Sequence, residues 1–155
     1  MNERRRIKAN VHFIAKDKDG NVIRKWSDHN TDVANGRNEV AGLVAGIVGT
    51  NFPFMGLATS TNTTAITDAD TGLGLGSTDA ATATTSLITT TTLNDTARFQ
   101  AVINYIPART IGKAGLFWNL GAPDASAMGF VSLISPTVAM PAGSALTIVW
   151  TVQIT

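Results

Sequence analysis

The strongest constraint on this chain is a period-two alternation of apolar and polar side chains, clearest near its C-terminal end. From Ala145 to Thr155, Leu146, Ile148, Trp150, Val152 and Ile154 take one face, and Thr147, Thr151, Gln153 and Thr155 the other. Successive side chains of a strand point to opposite sides, so such a segment buries one face and wets the other. It therefore needs a sheet and a second layer to cover it. The chain opens in the same way. Between Arg6 and Lys16, Ile7, Ala9, Val11, Phe13 and Ala15 share a face opposite Lys8, Asn10, His12 and Lys16. Asp17-Lys18-Asp19-Gly20-Asn21 interrupts the pattern, with Gly20 free to take a positive φ. Val22 to Trp26 then resumes it, with Val22, Arg24 and Trp26 on one side. This reads as a β-hairpin with a bulged turn.

Further strands are expected at Phe54 to Thr59, Leu87 to Thr92, Thr96 to Ile106, Ile111 to Trp118 and Met128 to Ile134. In the third of these, Phe99, Ala101, Ile103 and Tyr105 share a face. Pro107, Pro123, Pro136 and Pro141 fall at the expected boundaries, where a missing N–H is tolerated. One helix is expected at about 31–48. Asn30, Thr31 and Asp32 can start it, Val33, Val40, Leu43, Val44 and Ile47 recur at helical spacing, and Gly49 can close it. Residues Ser60 to Ser86 have no clear period and read as a long loop. The expected fold is mainly β: an antiparallel β-sandwich, jelly-roll-like, with one short α-helix. A single domain over 7–155 follows an N-terminal basic arm over 1–6.

Only 15% of the 155 residues are charged, against about 25% in an ordinary soluble domain. Thr, Ser, Asn and Gly replace the missing charge, which suits a surface that meets neighbours. The basic residues are uneven: Arg4, Arg5, Arg6, Lys8, Lys16, Lys18, Arg24, Lys25 and Arg37 precede Arg98, Arg109 and Lys113. A basic leading segment points to an acidic partner surface or nucleic acid, although six acidic residues share that quarter of the chain. Arg4, Arg5, Arg6 and Lys8 are the candidate partner-binding residues. The absence of cysteine excludes disulfides and thiolate metal sites. MNERRRIKAN lacks the apolar core of a signal peptide. The apolar run Val40 to Val48 is about half of the roughly 20 residues a membrane span requires.

No catalytic, cofactor or metal site is expected. Ser27, Asp28 and His29 are adjacent, but a nucleophilic triad converges in space, and neighbouring strand residues diverge. Asp28, His29 and Asp32 are too few for a dedicated metal site, and helix capping accounts for Asp32. Asp17, Asp19 and Asn21 resemble the opening of a calcium loop, yet Val22 and Asp28 stand where glycine and glutamate are needed. Gly72, Gly74 and Gly76 have no strand-to-helix context for a phosphate cradle. Trp26, Phe99, Tyr105, Phe117, Trp118 and Trp150 are not interleaved with basic residues, so core packing is their expected role.

Four segments, in this order, resemble small structural proteins of tailed phages. They are Asp32 to Gly46, Met55-Gly56-Leu57-Ala58-Thr59-Ser60-Thr61, Lys113-Ala114-Gly115-Leu116-Phe117-Trp118, and Leu146 to Val152. The chain departs from the pattern at Lys113, where many such proteins carry an acid, and in the length of the loop after Ser60. The resemblance implies a non-enzymatic virion protein, foremost a capsid decoration (cement) protein on the outer surface of the head. The implied partners are the major capsid protein and further copies of the chain, as a homotrimer, with neither membrane nor direct nucleic-acid contact. A tail-tip, fibre or collar component is the alternative. A carbohydrate-binding sandwich with exposed Trp26 or Trp118 is a third.

Overall fold

The computed structural model describes residues 7–32, 56–67, 69–70, 72–74, 78–89, 96–105, 107–118 and 128–154. They form two antiparallel sheets. The first contains β1 (Ile7–Lys16), β2 (Val22–His29), β6 (Thr84–Ile88), β7 (Thr96–Tyr105) and β10 (Ser144–Ile154), in the order β2-β1-β10-β7-β6. The second contains β3 (Thr31–Asp32), β4 (Gly56–Ser60), β5 (Thr78–Thr82), β8 (Arg109–Phe117) and β9 (Met128–Met140), in the order β3-β9-β8-β4-β5.

Both pairs of edge strands are consecutive in the chain. β2 passes through Asn30 into β3, and β5 passes through Ala83 into β6. Each is one length of chain that changes sheets at a single residue, so the chain itself joins the layers along both sides. Corners of this kind are how strands pass between packed sheets.

The alternation in β1 and β10 becomes the core through register. Arg24, Ala15, Leu146 and Ile103 stand side by side across the first sheet. The next inward row is Trp26, Phe13, Ile148 and Ala101, and the one after it is Asp28, Val11, Trp150 and Phe99. Leu57, Ile111, Leu116, Phe130, Ile134, Val138 and Met140 of the second sheet join the same buried cluster. Tyr105 and Thr59 tie the layers together through hydroxyls 2.7 Å apart. Burial, the largest effect, pushes the Tyr105 phenol well above its usual range, while the Thr59 contact works against that rise.

Three expectations need correction. Thr31 and Asp32 pair with Val131 and Phe130 as strand, so the helix does not begin at 31, and 33–48 lies outside the described residues. The expected loop from Ser60 to Ser86 contains β5 and most of β6. These strands were illegible because their Thr, Ala and Ser side chains give little apolar contrast, while backbone pairing to β4 and β7 holds them. Pro136 lies inside β9, not at its end. Pairing with β8 runs through Leu133 and resumes at Val138, and Ser135, Pro136 and Thr137 are exposed. The missing N–H therefore interrupts no printed pair with β8.

Candidate functional site

The two sheets treat their outer faces differently. On the second sheet, β4 and Ile111 to Phe117 of β8 are buried on both sides. Ala58, Leu73, Phe117, Met128 and Val131 form a second apolar cluster there, with Ile66 and Trp118 against it. The segment after β4 is the cover. Asn62 donates its side-chain amide to the Leu73 carbonyl at 2.9 Å and accepts from the Thr64 N–H at 2.9 Å. Lys113, only 2% exposed, donates to the Thr64 hydroxyl at 3.0 Å, and its ammonium lies 3.9 Å from the Asp70 carboxylate. The Thr67 hydroxyl donates to the same carboxylate at 2.6 Å. Lys113 thus fastens the covering segment onto β8. Sequence reading noted Lys113 only as a departure from a pattern; a lone lysine in a strand carries no sign of burial.

Among the described residues the outer face of the first sheet is largely exposed, except at Thr96, which pairs with Gln153 at one end and is 1% exposed. Register places Lys25, Ile14, Thr147 and Val102 in one row. Beside it run Ser27, His12, Val149, Gln100 and Thr84, then His29, Asn10, Thr151, Arg98 and Ser86. Lys16, Ala145 and Asn104 complete it at one end, and Lys8 and Gln153 at the other. Lys8, Lys16, Lys25, His12 and His29 are exposed, and Val102 keeps 46% of its surface. Among the described residues, no Asp or Glu stands on this face. Asp28 turns to the inner side, and Asp17 and Asp19 occupy the hairpin turn beyond it.

Of the candidate partner-binding residues, Lys8 sits on this face, paired with Gln153. Arg4, Arg5 and Arg6 lie outside the described residues. Of the adjacent Ser27, Asp28 and His29, Asp28 turns to the inner side while Ser27 and His29 share the outer face, so the three do not converge. The fold instead brings Ser27 to His12, with the hydroxyl 2.6 Å from Nδ1. The hairpin register places these two opposite each other, and only after a shift between Ala15 and Lys16; simple counting from the turn would have paired His12 with Trp26. They lie on an exposed sheet surface, His12 on β1, which is paired on both sides, and Ser27 on the edge strand β2, which suits a surface polar contact better than an activated nucleophile.

Among the described residues, no group of three or more His, Asp or Glu is placed to hold a metal, and no helix is long and apolar enough to cross a membrane. Asp17 closes the hairpin: its carboxylate accepts from the Asp19 N–H at 2.9 Å and from the Asn21 N–H and side-chain amide at 2.8 and 3.0 Å. Trp26 stacks on Phe13 with ring centres 4.7 Å apart and carries the Arg24 guanidinium on its ring. Trp118 is half-buried against both apolar clusters. Both indoles are half-buried rather than fully exposed. Comparison with known proteins yields no relative: no family model matches the chain, and no curated protein or solved structure does.

Proposed function

We propose that this chain is a non-catalytic virion structural protein, foremost a decoration protein that binds the outside of a tailed-phage head. The observation that carries the reading is the open, five-stranded outer face of the first sheet. It is rich in Thr, Asn and Gln and bears only basic ionisable groups among the described residues, while β4 and Ile111 to Phe117 of the opposite sheet are buried on both sides. A surface of this kind binds by area and complementarity, as a lattice-bound subunit must. The order of the four phage-like segments supports the same reading. We take the two sheets as a β-sandwich, jelly-roll-like in its outer winding, where β1 runs beside β10 and β3 beside β9. Arg4, Arg5, Arg6 and Lys8 extend the basic character toward the major capsid protein, and further copies as a homotrimer supply multivalency.

The test is to add the purified chain to phage heads stripped of it and to isolated tails. Saturable binding to heads that raises their thermal stability is the expected result. Binding to tails alone would move the assignment to a tail component, and binding to neither would remove the virion reading.

A further inference from the structure

The open face has the anatomy of one half of a protein–protein interface. Ile14, Val149 and Val102 lie near its middle, spread over three strands and two neighbouring rows. Lys16 and Lys25 stand at one corner, and Arg98 stands two rows from Val102 toward the other end. An apolar centre flanked by cations is how a specific interface separates burial from orientation. Building on the docking role above, we propose that this face binds a protein surface of complementary chemistry: an apolar patch rimmed by Asp and Glu side chains.

Two observations favour a protein over a nucleic acid. The aromatic side chains of the described strands of this sheet, Phe13, Trp26, Phe99, Tyr105 and Trp150, all belong to the inner core or pack against it. A single-stranded nucleic acid would therefore find no Phe, Tyr or Trp ring here to stack on, only the smaller imidazoles of His12 and His29. A duplex would need cations tracking its phosphates, whereas Ile14, Thr147 and Val102 occupy the middle of the face.

The experiment uses the full chain and two immobilised probes, poly-L-glutamate and a random-sequence DNA duplex. The variants are Lys16→Glu with Lys25→Glu and, as a control away from the face, Lys18→Glu in the hairpin turn. Circular dichroism and thermal melting establish that each is folded; all three lysines are exposed. The expected result is salt-sensitive binding to polyglutamate, weakened about tenfold in the double variant, unchanged in the control, and stronger than binding to DNA. Tighter binding to DNA, no binding to polyglutamate, or equal binding by the double variant would overturn the proposal. On stripped heads the two readings separate. If wild type and double variant bind heads equally, the face is not the docking surface but the virion role stands. If polyglutamate binding behaves as expected while heads bind neither protein, the virion role falls and the chemistry of the face stands.

Discussion

Asp17 does more for the first hairpin than its neighbours Lys18 and Asp19, whose ion pair is exposed on both sides. Hydrogen bonds from the Asn21 side chain and backbone lower its pKa from 3.8, with the Asp19 N–H and Lys18 adding to the effect. Because the folded value is depressed, the carboxylate's contribution is complete above 3.8 and is lost as pH falls through the folded value. We expect carbon-detected NMR titration to place Asp17 below 3.8, and Asn21→Ala to move it back toward 3.8. Gly20 holds the same turn with φ of 86°, as its place between two alternating segments predicts. Trp150 illustrates the opposite environment. It is fully buried between Val11 and Phe99, and its indole N–H has no hydrogen-bond partner among the described residues. Its contribution is therefore volume and apolar area. Trp150→Ala should cost about 3–5 kcal/mol in urea unfolding; a change below about 1 kcal/mol would mean that the site collapses to fill the space.

At the scale of the element, β8 is the most constrained strand. Its alternation is weak because both its faces are covered: the core lies on one side and residues 61–67 and 72–74 on the other. Gly112 is where the cover comes closest. A Cβ built there would lie 2.5 Å from the Asn62 carbonyl oxygen and 2.7 Å from the Thr63 methyl. The neighbouring register shift between Ile111 and Lys113 falls at the same point. Gly112→Ala should therefore lift the covering segment, at about 1–3 kcal/mol, with faster amide hydrogen exchange in 61–67 and little change in β1 or β10. Unchanged exchange there would show that the segment adapts without leaving β8. Strands β1, β7 and β10 were legible because one face is wet and the other dry. Strands β5 and β6 were not, because pairing with a neighbour leaves no trace in a Thr-rich sequence. The site followed the same division: the polar face of β1 could be read off residue by residue, but which strands would extend it could not.

At the scale of the whole molecule, the described residues bury both sides of β4 and most of β8 in the second sheet while leaving much of the first sheet's outer face exposed, and that asymmetry bears on assembly. Sedimentation of the purified chain should give a species larger than 16.2 kDa, and Val102→Asp should reduce occupancy on stripped heads without lowering the melting temperature, since Val102 is 46% exposed. Normal occupancy in that variant would locate the contact elsewhere. The sequence by itself determined which side of β1, β7 and β10 turns inward, because side-chain direction alternates with each residue and apolar groups leave water. It also determined the first turn, where Asp17 and Gly20 act on their own backbone. Only the tertiary structure decided that β1 and β10 run side by side, that β2 and β5 fold over the edges of their sheets, and that Lys113 is buried beneath Thr64 and Asp70. These outcomes depend on contacts between residues far apart in the chain. Their energies come from register and burial among distant partners, which local pattern does not encode.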